Sequence, residues 1–326
     1  MSWRPVALGL LVGIGGFGIF YSIFGCGVAK ISLVNLTMNQ TSIPAERPAV
    51  AAPESKELKV PWCRHAESKV QEGEYPACLV PPSKDLYRLA HPKNDWYSQD
   101  KQDQEVWPLL KGLTKGFFIE SGASVGEAFS NTLALEKTGK WSGLLVEPDP
   151  WNHELIATLH RKAYLFKGCL SGTQSQETLW FKADRDKALH GNFGMDGRLM
   201  DKPPEKETKQ TLDAAIAVTC LPLKDILEAV GHLEVDFWSL DIEGAEGAVL
   251  EATDFSKVKV GVMTIEMNKG PVNNKKISDV MEKNGFVRWK VLKFDQIFVN
   301  PSYIRQKGWE IPADDAKLAE IMNKKL

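Results

Sequence analysis

The chain has 326 residues, 43% hydrophobic and 25% charged, which is enough to bury one large core or two small ones. Its 40 basic and 42 acidic residues give a formal net charge of -2, so there is no electrostatic case for a nucleic-acid partner, and no nucleic-acid motif is present. One α/β domain with additions at its ends is the expected organisation.

Residues 1–5 form a short tail that carries Arg4. Val6 to Val28, VALGLLVGIGGFGIFYSIFGCGV, is free of charge; about 23 residues wound as a helix cross a hydrocarbon core of about 30 Å. The sequence therefore predicts one transmembrane signal anchor over residues 6–28. A cleaved signal peptide is the rival, but its apolar region runs only about 7–15 residues and ends in a small-residue cleavage site. Arg4 before the span and Lys30 after it give a slight bias towards a cytosolic amino terminus. The sequons Asn35-Leu36-Thr37 and Asn39-Gln40-Thr41 follow the span and read as acceptors on a lumenal carboxyl side. The expected arrangement is a single-pass type II membrane protein of the endoplasmic reticulum, Golgi or endosomes, with its domain in the lumen.

Residues 29–95 read as a lumenal stem. Ser42 to Ser55, SIPAERPAVAAPES, is rich in proline and alanine and has no periodicity. With Cys26 inside the span, Cys63, Cys78, Cys169 and Cys220 remain as an even set. In an oxidising lumen Cys63 and Cys78 are expected to close a short loop, ahead of a second pairing of Cys169 with Cys220. Free thiols in a cytosolic protein are the alternative. The absence of Cys-x-x-Cys spacing argues against zinc and thioredoxin-like chemistry.

The globular part spans residues 96–300. Apolar positions from Val106 to Leu113 predict a helix that leads into the strand Phe117-Phe118-Ile119. That strand ends on Glu120, and Gly122 and Gly126 follow, before a helix whose buried side is Phe129, Leu133 and Leu135. Glycines at such a turn let the backbone approach a ligand closely. The carboxylate ahead of them suits a cationic, hydroxyl-bearing ligand better than a phosphate, and S-adenosylmethionine fits. A second strand, Leu144 to Val146, ends on Glu147, about 21 residues after Gly126; this is the place of a ribose-binding acid in doubly wound folds.

A helix from Trp151 to Arg161 and a strand from Ala163 to Phe166 come next. Residues 172–217 read as an exposed, irregular excursion with an edge strand, or as a substrate lid. The strand Val235 to Leu240 ends in Asp241-Ile242-Glu243-Gly244-Ala245-Glu246. Three crowded carboxylates suggest a metal, a cationic ligand or proton transfer, with one of them capping the next helix. The strand Val260 to Ile265 ends in Glu266-Met267-Asn268. As neighbours, Asp241, Glu266 and Asn268 offer hard oxygen ligands for Mg²⁺ or Ca²⁺. A helix from Lys276 to Asn284, strands Arg288 to Leu292 and Gln296 to Val299, and a helical tail over residues 301–326 complete the chain.

The segments YSQDKQD, FFIESGA, SNTLALE, WSGLLVEPDP, HRKAY, CLS, DFWSLDIEGAE, TIEMN and DQIFVN together resemble the FkbM-type methyltransferase domain. The anchor and stem resemble its membrane-anchored animal, Star-like branch. The resemblance implies a doubly wound, Rossmann-like α/β sheet of seven strands, the last of them antiparallel, with S-adenosylmethionine as cofactor. It implies that Glu120, Gly122, Ala123 and Gly126 form the cofactor's glycine turn, that Glu147 binds ribose, and that Leu170 meets the adenine edge. Asp241 and Glu243 then face the methyl group, with one of them positioned as a base. Val125 departs from the pattern, because relatives carry an acid or amide before the second glycine. Two functions follow: O-methylation of a small-molecule or glycan acceptor, or a non-catalytic role for a membrane-tethered factor that moves a membrane cargo protein between endoplasmic reticulum, Golgi and endosomes.

Overall fold

The computed structural model describes residues 12–14, 17–19, 74–75, 78–183, 197–202 and 215–324, in two units, Met1–Lys56 and Glu57–Leu326. In the first unit, β1 (Val12–Ile14) and β2 (Phe17–Ile19) pair antiparallel. These six residues lie inside the predicted span and are extended where a helix was expected. Their stretch is rich in glycine, which weakens a helix by about 1 kcal/mol per residue. Among the described residues no helix is long and apolar enough to cross a membrane. The rest of the span, both sequons, the Ser42 to Ser55 stretch and Cys63 lie outside the described residues.

The second unit is built on a sheet of eight strands. In spatial order these are β14 (Val287–Val291), β15 (Asp295–Val299), β13 (Lys259–Glu266), β12 (Glu234–Leu240), β5 (Phe117–Ser121), β6 (Ser142–Glu147), β7 (Tyr164–Lys167) and β4 (Cys78–Val80). The run β13, β12, β5, β6, β7 is parallel. β15 lies antiparallel between β13 and β14, as the last strand was expected to do. The eighth strand is β4, antiparallel to β7 at the far edge. It comes from the segment read as stem, so the folded unit begins well before Trp96.

Strand alternation distributes the core. Phe117 and Ile119 face one side with Trp238 and Leu240, under α4 (Leu223–Val230), α5 (Glu246–Ala252) and α6 (Pro271–Lys283). Phe118 and Phe237 face the other, under α1 (Gln102–Leu110), α2 (Leu133–Gly139), α3 (Pro150–Leu159), α7 (Pro301–Lys307) and α8 (Ala316–Asn323). Each large side chain so buried contributes roughly 1.5–3 kcal/mol. The carboxyl-terminal tail belongs to this second layer through Tyr303, Ile304, Leu318 and Ile321. Phe129 does not join α2: its φ of 64° places it in the preceding turn, and the helix begins at Leu133.

The described parts of residues 172–217 form strands where an irregular excursion was expected. β9 (Glu177–Lys182) pairs antiparallel with β10 (Arg198–Met200) and with β11 (Ile216–Leu221). β11 also pairs parallel with β3 (Glu74–Tyr75) and β8 (Cys169–Leu170). The chain leaves the central sheet after β7 and enters this second sheet at Gly168, where a Cβ would lie 2.5 Å from the Thr219 carbonyl oxygen. Cys169 and Cys220 are register partners there and form a disulfide, the second of the two expected pairings.

The bond closes a loop with a sequence separation of 51, and a loop of that order stabilises a fold by roughly 2–4 kcal/mol. Replacing both cysteines by alanine should lower the unfolding free energy of the chain by that amount in a guanidinium titration. An unchanged midpoint would mean that β8 and β11 hold together without it.

Candidate functional site

Strand order reverses between β5 and β12, so their carboxyl ends open a crevice, the place where open α/β sheets bind ligands. A cleft of about 340 Å³ lies there. Glu120, Gly122, Ala123, Glu147, Leu170, Asp241, Glu243, Glu266 and Asn268 all line it, so nine of the residues expected in the site converge on one cleft. Gly126 and Val125 are not among its lining residues.

Gly122 is where the two strand ends come closest. Its φ is +81°, and a Cβ there would lie 1.8 Å from the Asp241 carbonyl oxygen; no side chain fits. Gly126, at φ +79°, backs onto α3, where a Cβ would meet Ile156 at 2.9 Å. It shapes the turn from behind.

The acids at the strand ends have different surroundings. Glu120 is buried and accepts from Asn131 N at 2.6 Å, Thr132 Oγ1 at 2.6 Å and Ser130 Oγ at 2.9 Å. Burial raises its pKa, against the pull of Arg161. Its carboxylate holds the 130–132 loop, and the residue lines the cleft. Glu147 accepts from Ser124 N at 2.7 Å and Asp149 N at 2.9 Å, with Asn152 Nδ2 at 3.3 Å. Burial pushes it up to about 8, despite those hydrogen bonds. His153 Nε2 lies 2.6 Å from the Glu147 carbonyl oxygen; burial pushes this imidazole down to about 4. A carbonyl only accepts, so Nε2 carries the proton.

The turn after β12 is strapped from below. Glu243 (φ 60°) and Gly244 (φ 110°) both have left-handed backbone. The fully buried Glu246, at the start of α5, accepts from Ile242 N and Gly244 N at 3.0 Å each, and its other oxygen accepts from Asn273 Nδ2 at 3.0 Å. One of these acids was expected to cap the next helix; Glu246 lies in its first turn, but the N-cap is Ala245 with no side-chain cap, and the carboxylate binds the preceding turn instead.

Lys269, which sequence reasoning missed, closes the group. Its ammonium lies 2.6 Å from Glu243 Oε2 and 3.2 Å from Glu266 Oε1. Burial opposes its charge, but Glu243 and Glu266 more than offset this and hold it above the usual lysine range. The i, i+3 spacing of Glu266 and Lys269 was the available signal. Glu266 also accepts from Asn268 Nδ2 at 2.7 Å, and its Oε2 is buried with no partner among the described residues. The Asp241 carboxylate takes no hydrogen bond among the described residues; burial raises it well above the usual range, and Glu266 and Glu243 raise it further.

The expected divalent-metal site does not fit this arrangement. Carboxylate oxygens of Asp241, Glu246 and Glu266 do lie within 4.8 Å of one another. However, Glu246 is used up on the turn and Asn273, Asn268 turns its amide nitrogen to Glu266, and the Lys269 ammonium already supplies positive charge beside Glu266.

The chain matches the methyltransferase FkbM domain over residues 120–288, more than half its length. Among solved structures it is similar to the methyltransferase FkbM from Methylobacillus flagellatus KT, at 13% identity and a TM-score of 0.36, covering 62% of this chain and 48% of that one. This chain thus spans about half the length of that protein. It is also similar to the precorrin-6y C5,15-methyltransferase from Geobacter metallireducens GS-15, at 12% identity and a TM-score of 0.33, covering 68% and 96%. A further likeness is to a SAM-dependent methyltransferase from Aquifex aeolicus, at 13% identity and a TM-score of 0.24, covering 60% and 92%. No curated protein matches the chain.

The two glycines should respond differently to substitution. Gly122→Ala meets backbone at 1.8 Å and should cost roughly 3 kcal/mol or more of stability, whereas Gly126→Ala meets a movable isoleucine side chain and should cost less. Thermal unfolding of both variants checks the order; equal losses would mean that the two turns are equally tight.

Proposed function

The chain belongs to the methyltransferase FkbM domain family, and on that premise we propose that its cleft binds S-adenosylmethionine and passes the methyl group to a hydroxyl of a small or glycan acceptor. The observation that carries the proposal is the meeting of Gly122, Glu147 and Asp241 in one cleft at the point where strand order reverses. When bound, S-adenosylmethionine supplies a methyl carbon on a positively charged sulfur.

The residues divide the work. Gly122 and Ala123 let the ligand lie against the backbone of the turn. Glu147, its oxygens already fixed by the Ser124 and Asp149 amides, accepts from the ribose hydroxyls. Leu170 offers an apolar contact to the adenine edge. Asp241 takes the proton of the acceptor hydroxyl while that oxygen bonds to the methyl carbon and the carbon–sulfur bond breaks, leaving a methyl ether, a thioether and a protonated Asp241. Its raised pKa makes it a better base than an ordinary carboxylate. Glu243, paired with Lys269, orients this group.

The Cys169–Cys220 bond supports an oxidising compartment, in keeping with the proposal that the domain faces the lumen of the endoplasmic reticulum, Golgi or endosomes behind a type II anchor. The non-catalytic trafficking alternative drew on Val125. That side chain is not among the residues lining the cleft, which favours the catalytic reading.

Calorimetry of the full chain with S-adenosylmethionine tests the proposal. Glu147→Gln should weaken binding about tenfold, from the loss of a charge-assisted hydrogen bond of roughly 1.5 kcal/mol. Ribose hydroxyls donate to the ionised acid, so binding lowers the Glu147 pKa from about 8. Affinity should therefore rise with pH up to about 8 and level off above it, with proton release on binding below that point. Glu147→Gln should flatten this profile. Asp241→Asn should keep binding within about twofold, since it keeps the shape of the site, and should abolish turnover. A chain that binds neither S-adenosylmethionine nor its demethylated product would leave the trafficking alternative standing.

A further inference from the structure

We infer that Gln99 is a binding residue for the methyl donor, its side-chain amide donating to the α-carboxylate at the donor's amino-acid end. The inference rests on the methyltransferase reading and assigns a residue which that reading leaves unused.

The segment YSQDKQD, Tyr97 to Asp103, folds as a brace. Asp103 is fully buried and accepts from Tyr97 N at 2.7 Å, Gln104 N at 2.8 Å, Ser98 N at 3.2 Å and the Ser98 hydroxyl. Gln102, also buried, accepts from Asp100 N at 2.9 Å through Oε1 and donates through Nε2 to Asp295 Oδ2 at 2.7 Å. The Tyr97 hydroxyl donates to the His91 carbonyl at 3.0 Å. Gln99 stands between these fixed neighbours. It is exposed, lines the cleft, and takes no hydrogen bond among the described residues.

The brace is fastened on both sides of Asp241. Ser98 bridges to Phe129, in the turn that follows β5, and Asp295, which Gln102 holds, is the register partner of Glu266 at the end of β13. Between β5 and β13 lies β12, which runs into Asp241. With ribose at Glu147 on β6 and adenine at Leu170, the rest of the donor has to run the other way, across β5 towards β12. Its amino-acid end therefore points to the part of the cleft that Gln99 enters.

That end carries a carboxylate, which needs donors. Five side-chain amides line the cleft, and four of them already donate within the protein: Gln102 to Asp295, Asn131 to Ser239, Asn152 to Glu147 and Asn268 to Glu266. The backbone amides of Gly122 and Ala123 donate to the Val146 carbonyl, and that of Ser124 to Glu147. The Lys269 ammonium is held by Glu243 and Glu266. Gln99 is the fifth amide, with both N–H groups to give. A hydrogen bond from it to a carboxylate is charge-assisted and belongs to the stronger class.

The test is calorimetry of the full chain with S-adenosylhomocysteine and with 5′-methylthioadenosine, which shares the nucleoside and thioether but lacks the amino-acid end. The parent chain should prefer S-adenosylhomocysteine. Gln99→Ala should weaken S-adenosylhomocysteine about tenfold and methylthioadenosine less than about twofold. Gln99→Glu, which puts a second carboxylate against the ligand's own, should weaken S-adenosylhomocysteine at least as much and again spare methylthioadenosine. Because Gln99 has no partner to lose, both variants should unfold at the parent's thermal midpoint. Equal losses for the two compounds, no loss for either, tighter S-adenosylhomocysteine binding by Gln99→Glu, or a parent chain that binds both compounds equally would overturn the inference and leave the methyltransferase reading intact. A parent chain that binds neither compound would overturn both.

Discussion

The guanidinium of Arg161, buried between two carboxylates, holds the binding face of this domain together. Its Nε donates to Glu136 Oε2 at 2.8 Å on α2, Nη2 lies 3.9 Å from Glu120 Oε2 at the end of β5, and Nη1 donates to the Gly126 carbonyl. The Arg161 carbonyl accepts from Ser83 N at 3.0 Å, and the next amide, Lys162 N, donates to Glu136 Oε1 at 2.6 Å. The side chain thus joins β5, the glycine turn and α2, and the residue's backbone carbonyl ties in the segment after β4. Desolvating three charges is expensive, and the hydrogen bonds from Ser130, Asn131 and Thr132 to Glu120 are what make the arrangement tolerable. Removing one partner would strand the others in a dry environment, at a cost of roughly 3–5 kcal/mol.

That arrangement explains why similar acids do different work. Glu120 takes three hydrogen bonds from one loop, which it holds in place. Glu246 is likewise spent on the backbone of the turn it supports. Glu147 also takes three hydrogen bonds, but from groups on its own turn and the first turn of α3, and its residue lines the cleft. Asp241 is the carboxylate at the centre that nothing donates to among the described residues, and its neighbours Glu266 and Glu243 raise its proton affinity. Its chemistry comes from the shell around it.

The sequence carried the local part of this picture. A strand, an acid and two glycines within ten residues form a βα unit whose geometry is fixed by near neighbours, so Phe117 to Gly126 and Leu144 to Glu147 fell where they were expected. What sequence cannot show is which way a side chain turns. Glu120 and Glu147 are both strand-end acids, but Ser130 and Thr132 claim the first, and only the fold reveals it. Nor could spacing reveal β4, whose three residues pair with β7 across more than eighty positions. The sheet of β8, β9, β10 and β11 was legible only in part: an edge strand and the Cys169–Cys220 pairing were expected, but the pairing of β9 with β10 and β11 joins short strands that no local pattern links.

The same contrast separates the two halves of the cleft. The proposed cofactor contacts, Gly122, Ala123 and Glu147, all lie within one βαβ unit, which a compact run of sequence can specify. The other half is assembled from far apart: Gln102 from α1 donates to Asp295 Oδ2 at 2.7 Å across a separation of 193 residues, Phe129 comes from a turn, and Phe294 from a hairpin. Those pieces sit on loops that the sheet positions but does not constrain in composition, so they can vary without disturbing the core. A fold built this way gathers its proposed methyl-donor contacts in one compact unit and draws the rest of the cleft from separate loops.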